Sequence, residues 1–143
     1  GDVDVRMLPG QEGTDVEDHL RKVLGPALYE DLDILPALEM EASASPVEGP
    51  LWEAIADAAD DHLGSRQLAP TLTPVTTDAR FFRQKGIPAY GVGLFDDSVT
   101  FAEMLAMFHG ADERVSEQSV LSTTHFLASV IEHFSERIAA HHG

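Results

Sequence analysis

Residues 116–141 constrain this chain more than any other stretch. Val120, Thr124, Leu127, Ile131, Phe134 and Ile138 recur at alternating steps of four and three, the spacing that lines one face of an α-helix. Ser116 stands where an N-cap belongs, and its hydroxyl can accept from a first-turn amide. A long helix with a one-sided apolar stripe needs a second layer to cover it. The rest of the chain has to supply that layer.

The upstream punctuation predicts how. In residues 2–8, Val3, Val5 and Met7 alternate with Asp2, Asp4 and Arg6, the pattern of a half-buried strand, and Pro9-Gly10 stops it. Thr14 and Glu17 have the spacing of a capping box. Val16, Leu20, Val23 and Leu24 follow at helical intervals until Gly25-Pro26. Leu32, Ile34, Leu38 and Met40 alternate as a second strand, with Pro36 marking an edge or a bulge. Residues 41–50 have no period and read as a linker, with a boundary near Ser45. Pro50 then opens a helix carrying Leu51, Ile55, Ala58 and Ala59 as far as Gly64. Leu68 to Leu72 is a short strand. Thr77 caps a helix running through Lys85 and closed by Gly86, and Ile87 to Leu94 reads as a buried parallel strand. Thr100 and Glu103 form a second capping box, opening a short helix to about Phe108. Helix and strand alternate after residue 45, so the expected fold is α/β with a mostly parallel sheet. The strand-helix-strand of residues 1–44 is half of a ferredoxin-like unit, whose unpaired edges invite a second chain.

Composition narrows the function. The chain has 143 residues, enough for one domain or parts of two. Its 25 acidic residues against 9 basic ones give a net charge of −16. Phosphate binding needs a basic face, so nucleic acid is not an expected partner. The same acidity disfavours an anionic membrane, and no run reaches the ~18 apolar residues of a span. No signal peptide is evident, and a cytoplasmic protein is the expectation. With no cysteine, disulfides and thiolate metal sites are excluded. A strand pattern begins directly at Gly1, as in a chain cut from a longer one.

Two polar clusters could carry chemistry. The first is Phe108-His109-Gly110-Ala111-Asp112-Glu113-Arg114-Val115. Neutral imidazole suits zinc, and Gly110 lets backbone or substrate approach closely. The plainer reading of His109 is a hydrogen-bonded loop histidine. Asp112 or Glu113 could orient a ligating imidazole, pair with Arg114, or serve only as an acidic turn before the last helix. The second cluster is Thr76-Thr77-Asp78-Ala79-Arg80-Phe81-Phe82-Arg83. Free amides at a helix start and the Arg80 guanidinium could grip a carboxylate. Its plainer reading is a cap with an exposed Asp–Arg pair. His19 and His62 fall on polar helix faces, and His125 and His133 lie about two turns apart. No histidine has an H-E-x-x-H partner, no serine sits in a G-x-S-x-G elbow, and no phosphate-binding glycine loop is present.

Together these clusters resemble the M20 family of zinc metallopeptidases and deacylases, the aminoacylase, desuccinylase and carboxypeptidase G group. The resemblance rests on Thr77-Asp78-Ala79-Arg80-Phe81-Phe82 with Gly86-Ile87-Pro88, on His109-Gly110 with Asp112-Glu113-Arg114-Val115, and on Asp2 to Gly10 as a lid-domain strand and turn. It implies that residues 1–44 are the second half of a lid or dimerisation domain, and residues 45–143 the C-terminal part of a catalytic domain. It also implies that His109 ligates one metal of a two-zinc centre, and that Thr77, Asp78, Arg80 and Gly110 line the substrate site. Family members hydrolyse amide bonds of peptides or N-acyl amino acids with a metal-bound water and a glutamate base. Their H-x-D segment, Glu-Glu pair and later acidic ligand have no counterpart here, so the resemblance implies a C-terminal fragment, inactive alone. Pro74-Val75-Thr76 departs from the family's glycine-rich lead-in. The competing readings are a non-catalytic binding or dimerisation module that pairs through the lid half, and a plain acidic α/β domain.

Overall fold

The structure is a computed structural model and describes residues 1–35, 40–73 and 75–141. Its regular elements are helices: α1 (Gly13–Leu24), α2 (Pro26–Glu30), α3 (Pro50–Leu63), α4 (Ala79–Arg83), α5 (Phe101–Met107) and α6 (Glu117–His141). The chain divides into two compact units. Unit 1 comprises Gly1–Ser45 with Leu72–Ala89, and unit 2 comprises Pro46–Thr71 with Tyr90–Gly143.

The expected α/β fold with a parallel sheet is not observed: among the described residues there is no strand and no sheet. Residues 2–8, 32–35, 68–72 and 87–94 are all irregular. Leu38 and Pro36 of the second expected strand lie outside the described residues. The physical reason is that alternation or a run of apolar residues assigns faces but supplies no partner. A strand exists only through its ladder, and here side chains take the ladder's place. The Ser45 hydroxyl accepts from the Ala89 N–H and donates to the Ala89 carbonyl, both at 2.9 Å. Within unit 2 the Thr123 hydroxyl does the same for Leu94, at 3.0 and 2.9 Å.

Unit 2 holds every buried hydrophobic residue among those described. Ala54, Ile55, Ala58 and Ala59 of α3 pack against Phe126 and Val130 of α6, with Leu51, Leu68, Tyr90, Leu94 and Phe134 around them. Pro50 sits in the first turn of α3, where its missing N–H costs nothing. Gly64 ends the helix at φ 68°, a left-handed position that favours glycine, and its N–H reaches the Asp60 carbonyl at 2.8 Å. At the rim, Asp57 receives both Arg66 and Arg137, and Arg66 also reaches Glu53 at 2.9 Å.

The buried stripe of α6 differs from the expected one. Ser119, Phe126 and Val130 are buried and Phe134 of the expected stripe packs against the core, whereas Val120 (50% exposed) and Ile131 (66% exposed) face outward. The buried set is offset by one residue, about 100° of helix rotation at about 3.6 residues per turn. Both sides of α6 carry apolar residues, so periodicity alone could not choose between them.

In unit 1, α1 packs beside α2, and the Arg21 guanidinium lies 4.7 Å from the Tyr29 ring centre. The α1 capping box uses Glu12 and Asp15 in place of Thr14 and Glu17, because the helix starts earlier. No residue of α1 is buried. Among the described residues no helix is long and apolar enough to cross a membrane.

Because Ala58 is fully buried against α6, Ala58→Leu should lower unfolding stability by about 1–3 kcal/mol through overpacking. Phe126→Ala should cost about 3–5 kcal/mol through the cavity it leaves. Urea denaturation of the two variants checks both values; an unchanged midpoint for either would contradict the α3–α6 core.

Candidate functional site

The richest polar chemistry in unit 2 lies between α5 and α6. Thr100 caps α5 as expected: its hydroxyl accepts from the Glu103 N–H, and the Glu103 carboxylate accepts from the Thr100 N–H at 2.8 Å. The Thr100 hydroxyl, which also donates to Glu103 Oε2 at 2.7 Å, and then the Thr100 N–H hold the Glu103 carboxyl below its usual range, with a smaller contribution from the Arg114 charge. The helix ends at Met107, and the chain reverses through Phe108, His109 and Gly110.

His109 is the one non-glycine residue with positive φ among those described, at 60°. The left-handed region costs a side-chain-bearing residue roughly 1–2 kcal/mol. Such outliers collect where function demands a particular side-chain direction. The imidazole is exposed, and the His109 N–H donates to Glu113 Oε2 at 3.2 Å. Gly110 follows, its N–H bonded to the Met107 carbonyl at 2.9 Å. A Cβ at Gly110 would meet that carbonyl oxygen at 3.0 Å, so a side chain there would crowd the turn. Arg114 donates to the Asp112 backbone carbonyl at 3.2 Å. Of the three roles open to Glu113, the geometry shows the turn-forming one.

The loop enters α6 through a network the sequence reading only half anticipated. Ser116 is the N-cap, accepting from the Ser119 N–H at 3.0 Å. Its hydroxyl also donates to Asp96, and Ser119 both donates to Asp96 at 3.3 Å and accepts from the Asp96 N–H at 3.0 Å. Ser119 is the buried polar residue of the described set. Hydrogen bonds from Ser116 first, then from Ser98 and Ser119, lower the Asp96 pKa from 3.8 to about 2. No motif spacing marks Asp96 as functional; its one signal is that Asp96-Asp97-Ser98 has the composition of an Asx-turn. The Ser98 N–H does bond Asp96 Oδ1, at 2.7 Å.

Two clefts flank this segment. One, of about 450 Å³, is lined by Ser98, Glu103, Gly110, Asp112 and Arg114 together with Val99 and Met107. The other, of about 390 Å³, is walled by Phe95, Met104, Met107, Phe108 and Val115, with Asp96 among its polar groups.

The second sequence cluster belongs to unit 1. Its helix, α4, spans five residues, is preceded by Asp78 rather than Thr77, and has no side-chain cap. Thr77 and Asp78 are exposed. Arg80 turns to the Met40 sulfur and stacks 4.6 Å from the Phe81 ring centre, not onto Asp78. Arg83, which the sequence did not single out, ties Ser43 and the Ala89 carbonyl together at 2.9 and 3.0 Å. Pro74 lies outside the described residues. Of the other histidines, His62 meets Ser129 at 2.9 Å, and His133 meets Asp61 at 2.7 Å.

Zinc needs four donors in a closed structural site or three plus water in a catalytic one. No group of three or more His, Asp or Glu side chains that could hold a metal exists among the described residues. The donors present therefore do not fit a zinc ion by themselves.

A family model described as peptidase family M20/M25/M40 matches residues 12–133, a span that includes both polar clusters. The chain belongs to this family. M20 is a family of peptidases, so its members are hydrolases, and they are generally zinc-dependent. No curated protein and no solved structure matches the chain.

Two predictions follow from the M20 chain's α5–α6 connection. His109→Gly should raise stability by about 1 kcal/mol by relieving the left-handed strain, while His109→Val should lower it; thermal melts of the two variants decide this, and equal shifts would contradict the assigned backbone. The Asp96 carboxyl titrates lower in the folded state than in the unfolded one. Its contribution is therefore complete above the ordinary carboxyl pKa of 3.8 and disappears as pH falls toward about 2. Asp96→Asn should flatten this part of the acid-unfolding curve, measured as denaturant midpoint against pH.

Proposed function

We propose that this chain supplies one part of a zinc-dependent M20 hydrolase acting on amide bonds of peptides or N-acyl amino acids, of the aminoacylase, desuccinylase and carboxypeptidase G kind. In this reading His109 is one ligand of a two-zinc centre, and the other ligands and the general base lie outside the chain. Residues 1–44 belong to a lid or dimerisation region and residues 45–143 to the catalytic region. Thr77, Asp78, Arg80 and Gly110 serve substrate binding.

The observation that carries the reading is the backbone of His109. The residue that the family resemblance marks as the ligand is also the residue held at φ 60°, followed by a glycine whose replacement would crowd the turn. The family match over residues 12–133 supports the hydrolase class.

The isolated chain should therefore show no amidase activity on N-acetyl amino acids with added zinc. Robust metal-dependent turnover that vanishes in His109→Ala would overturn the fragment reading. Intact mass and peptide mapping of the native product supply the second check. A longer product with an H-x-D segment and a Glu-Glu pair upstream is expected; a product lacking them would remove the catalytic reading.

The dimerisation-module reading has one observation in its favour. Val3, Val5 and Leu8 of the lid segment are 80%, 47% and 58% exposed. Sedimentation that finds a metal-independent dimer, lost on Val3→Asp, would favour it; a monomer at all concentrations would count against it.

A further inference from the structure

We infer that Asp96 is a positioning residue of the reaction centre: it clasps the base of the 97–115 loop and so sets where His109 stands on unit 2. This rests on the reading of His109 as a residue of that centre. The chain leaves the α6 surface at Asp96, runs through α5 and the His109 turn, and returns at Ser116. Side chains join the two ends. The Ser116 hydroxyl donates to the Asp96 carboxylate, and Ser119 donates to the same carboxylate at 3.3 Å while accepting from the Asp96 N–H at 3.0 Å. Ser119 is buried, and one helical turn further along α6 the Thr123 hydroxyl holds Leu94. Segment 94–96 is therefore pinned to α6 at two successive turns, and Asp96 is the second pin.

The hydrogen bonds beyond this clasp are local. Thr100 pairs with Glu103, the Gly110 N–H with the Met107 carbonyl, the His109 N–H with Glu113, and Arg114 with the Asp112 carbonyl. All of these begin and end inside 97–115. Among the described residues the hydrogen bond that leaves the loop is the Ser98 N–H to Asp96 Oδ1, at 2.7 Å, and α5 packs against no other helix. Internal bonds set the shape of the loop, including the φ of 60° at His109. They cannot set its place on unit 2, which falls to the groups that tie its two ends. A segment with its own internal bonds and one anchor moves as a body when the anchor is cut.

The chemistry of the clasp suits that task. A hydroxyl donating to a carboxylate makes a shorter bond, roughly twice as strong as a neutral pair. Asp96 gathers such donors from both sides of the loop, Ser98 from its start and Ser116 and Ser119 from its return. The same bonds bring the carboxyl down to about 2, so it stays ionised through neutral and mildly acidic conditions. Ser116 has a second duty, since its oxygen accepts from the Ser119 N–H at 3.0 Å as the N-cap of α6. Capping needs only an acceptor at position 116. The clasp needs a donor there, and this difference separates the two roles.

The 143-residue chain has no cysteine, so Ala106→Cys on α5 and Ala128→Cys on α6, both at exposed positions, accept one nitroxide each. Pulsed electron resonance should then find one narrow distribution of label distances. Ser116→Asp keeps an acceptor for the α6 cap but has no proton to give Asp96 and repels it; it should broaden the distribution, as should Asp96→Asn. Ser116→Thr keeps the hydroxyl and should leave the distribution narrow. Hydrogen exchange of the α3 and α6 amides should match the parent in Ser116→Asp, which a general loss of stability would not allow. In the native enzyme, with N-acetyl amino acids as substrates, Ser116→Asp should lower kcat about a hundredfold through misplacement, and Ser116→Thr should restore it. A distribution already broad in the parent, one left narrow by Ser116→Asp, a Ser116→Thr variant that behaves like Ser116→Asp, or α3–α6 protection lost along with the clasp would each overturn the proposal. His109→Ala in the native enzyme tests the underlying reading. If hydrolysis survives it, the His109 reading fails, and the role of Asp96 in this reaction fails with it. If His109→Ala abolishes hydrolysis but Ser116→Asp leaves the rate unchanged, the positioning role of Asp96 alone fails.

Discussion

The packing of α3 on α6 is the contact on which unit 2 depends. Ala54, Ala58 and Ala59 put almost no side chain between the helices, and Ile55, Phe126 and Val130 fill what remains. Small residues on one helix let large ones on the other reach its backbone, which is how a short helix can bury much of a face. With α6 fixed in this way, Ser119 and Thr123 are presented on the side where the irregular segment 90–96 runs. Their hydroxyls then bind Leu94 and Asp96. The position of Asp96, and through it the N-terminus of α6 and the loop that carries His109, follows from that arrangement.

Hydroxyl side chains do work in this chain that strands do in a sheet. Ser45 in unit 1 and Thr123 in unit 2 each accept an N–H and donate to the carbonyl of the same residue. A buried backbone donor or acceptor left without a partner is costly, and any good partner will serve. Tyr90 and Leu94 of unit 2 can therefore lie against its core without belonging to a ladder. The strand pattern was legible in the residues; the ladder was not, because pairing depends on which backbone edges meet.

Local signals are legible where they are self-contained. Pro50 and Gly64 bracket α3, Thr100 and Glu103 open α5, and Ser116 caps α6. Each is an interaction within a few residues, so no distant group can overrule it. Competing local signals were resolved differently from the reading: the α1 box uses Glu12 and Asp15, and α4 starts after Asp78. Which face of α6 is buried is set at longer range. Val120, Leu127 and Ile131 make an apolar stripe as regular as the one that α3 actually covers, and only the partner helix selects between them.

The sequence by itself determined that the chain is a member of the M20 family and where most helices begin and end. These are properties of residue identity and of spacing over a few positions. Tertiary structure alone decided that Asp96 is clasped by three serines and that an apolar cleft opens between α5 and the start of α6. Those outcomes depend on groups many residues apart being brought within hydrogen-bond or van der Waals distance. No pattern along the chain encodes that proximity until the helices have packed.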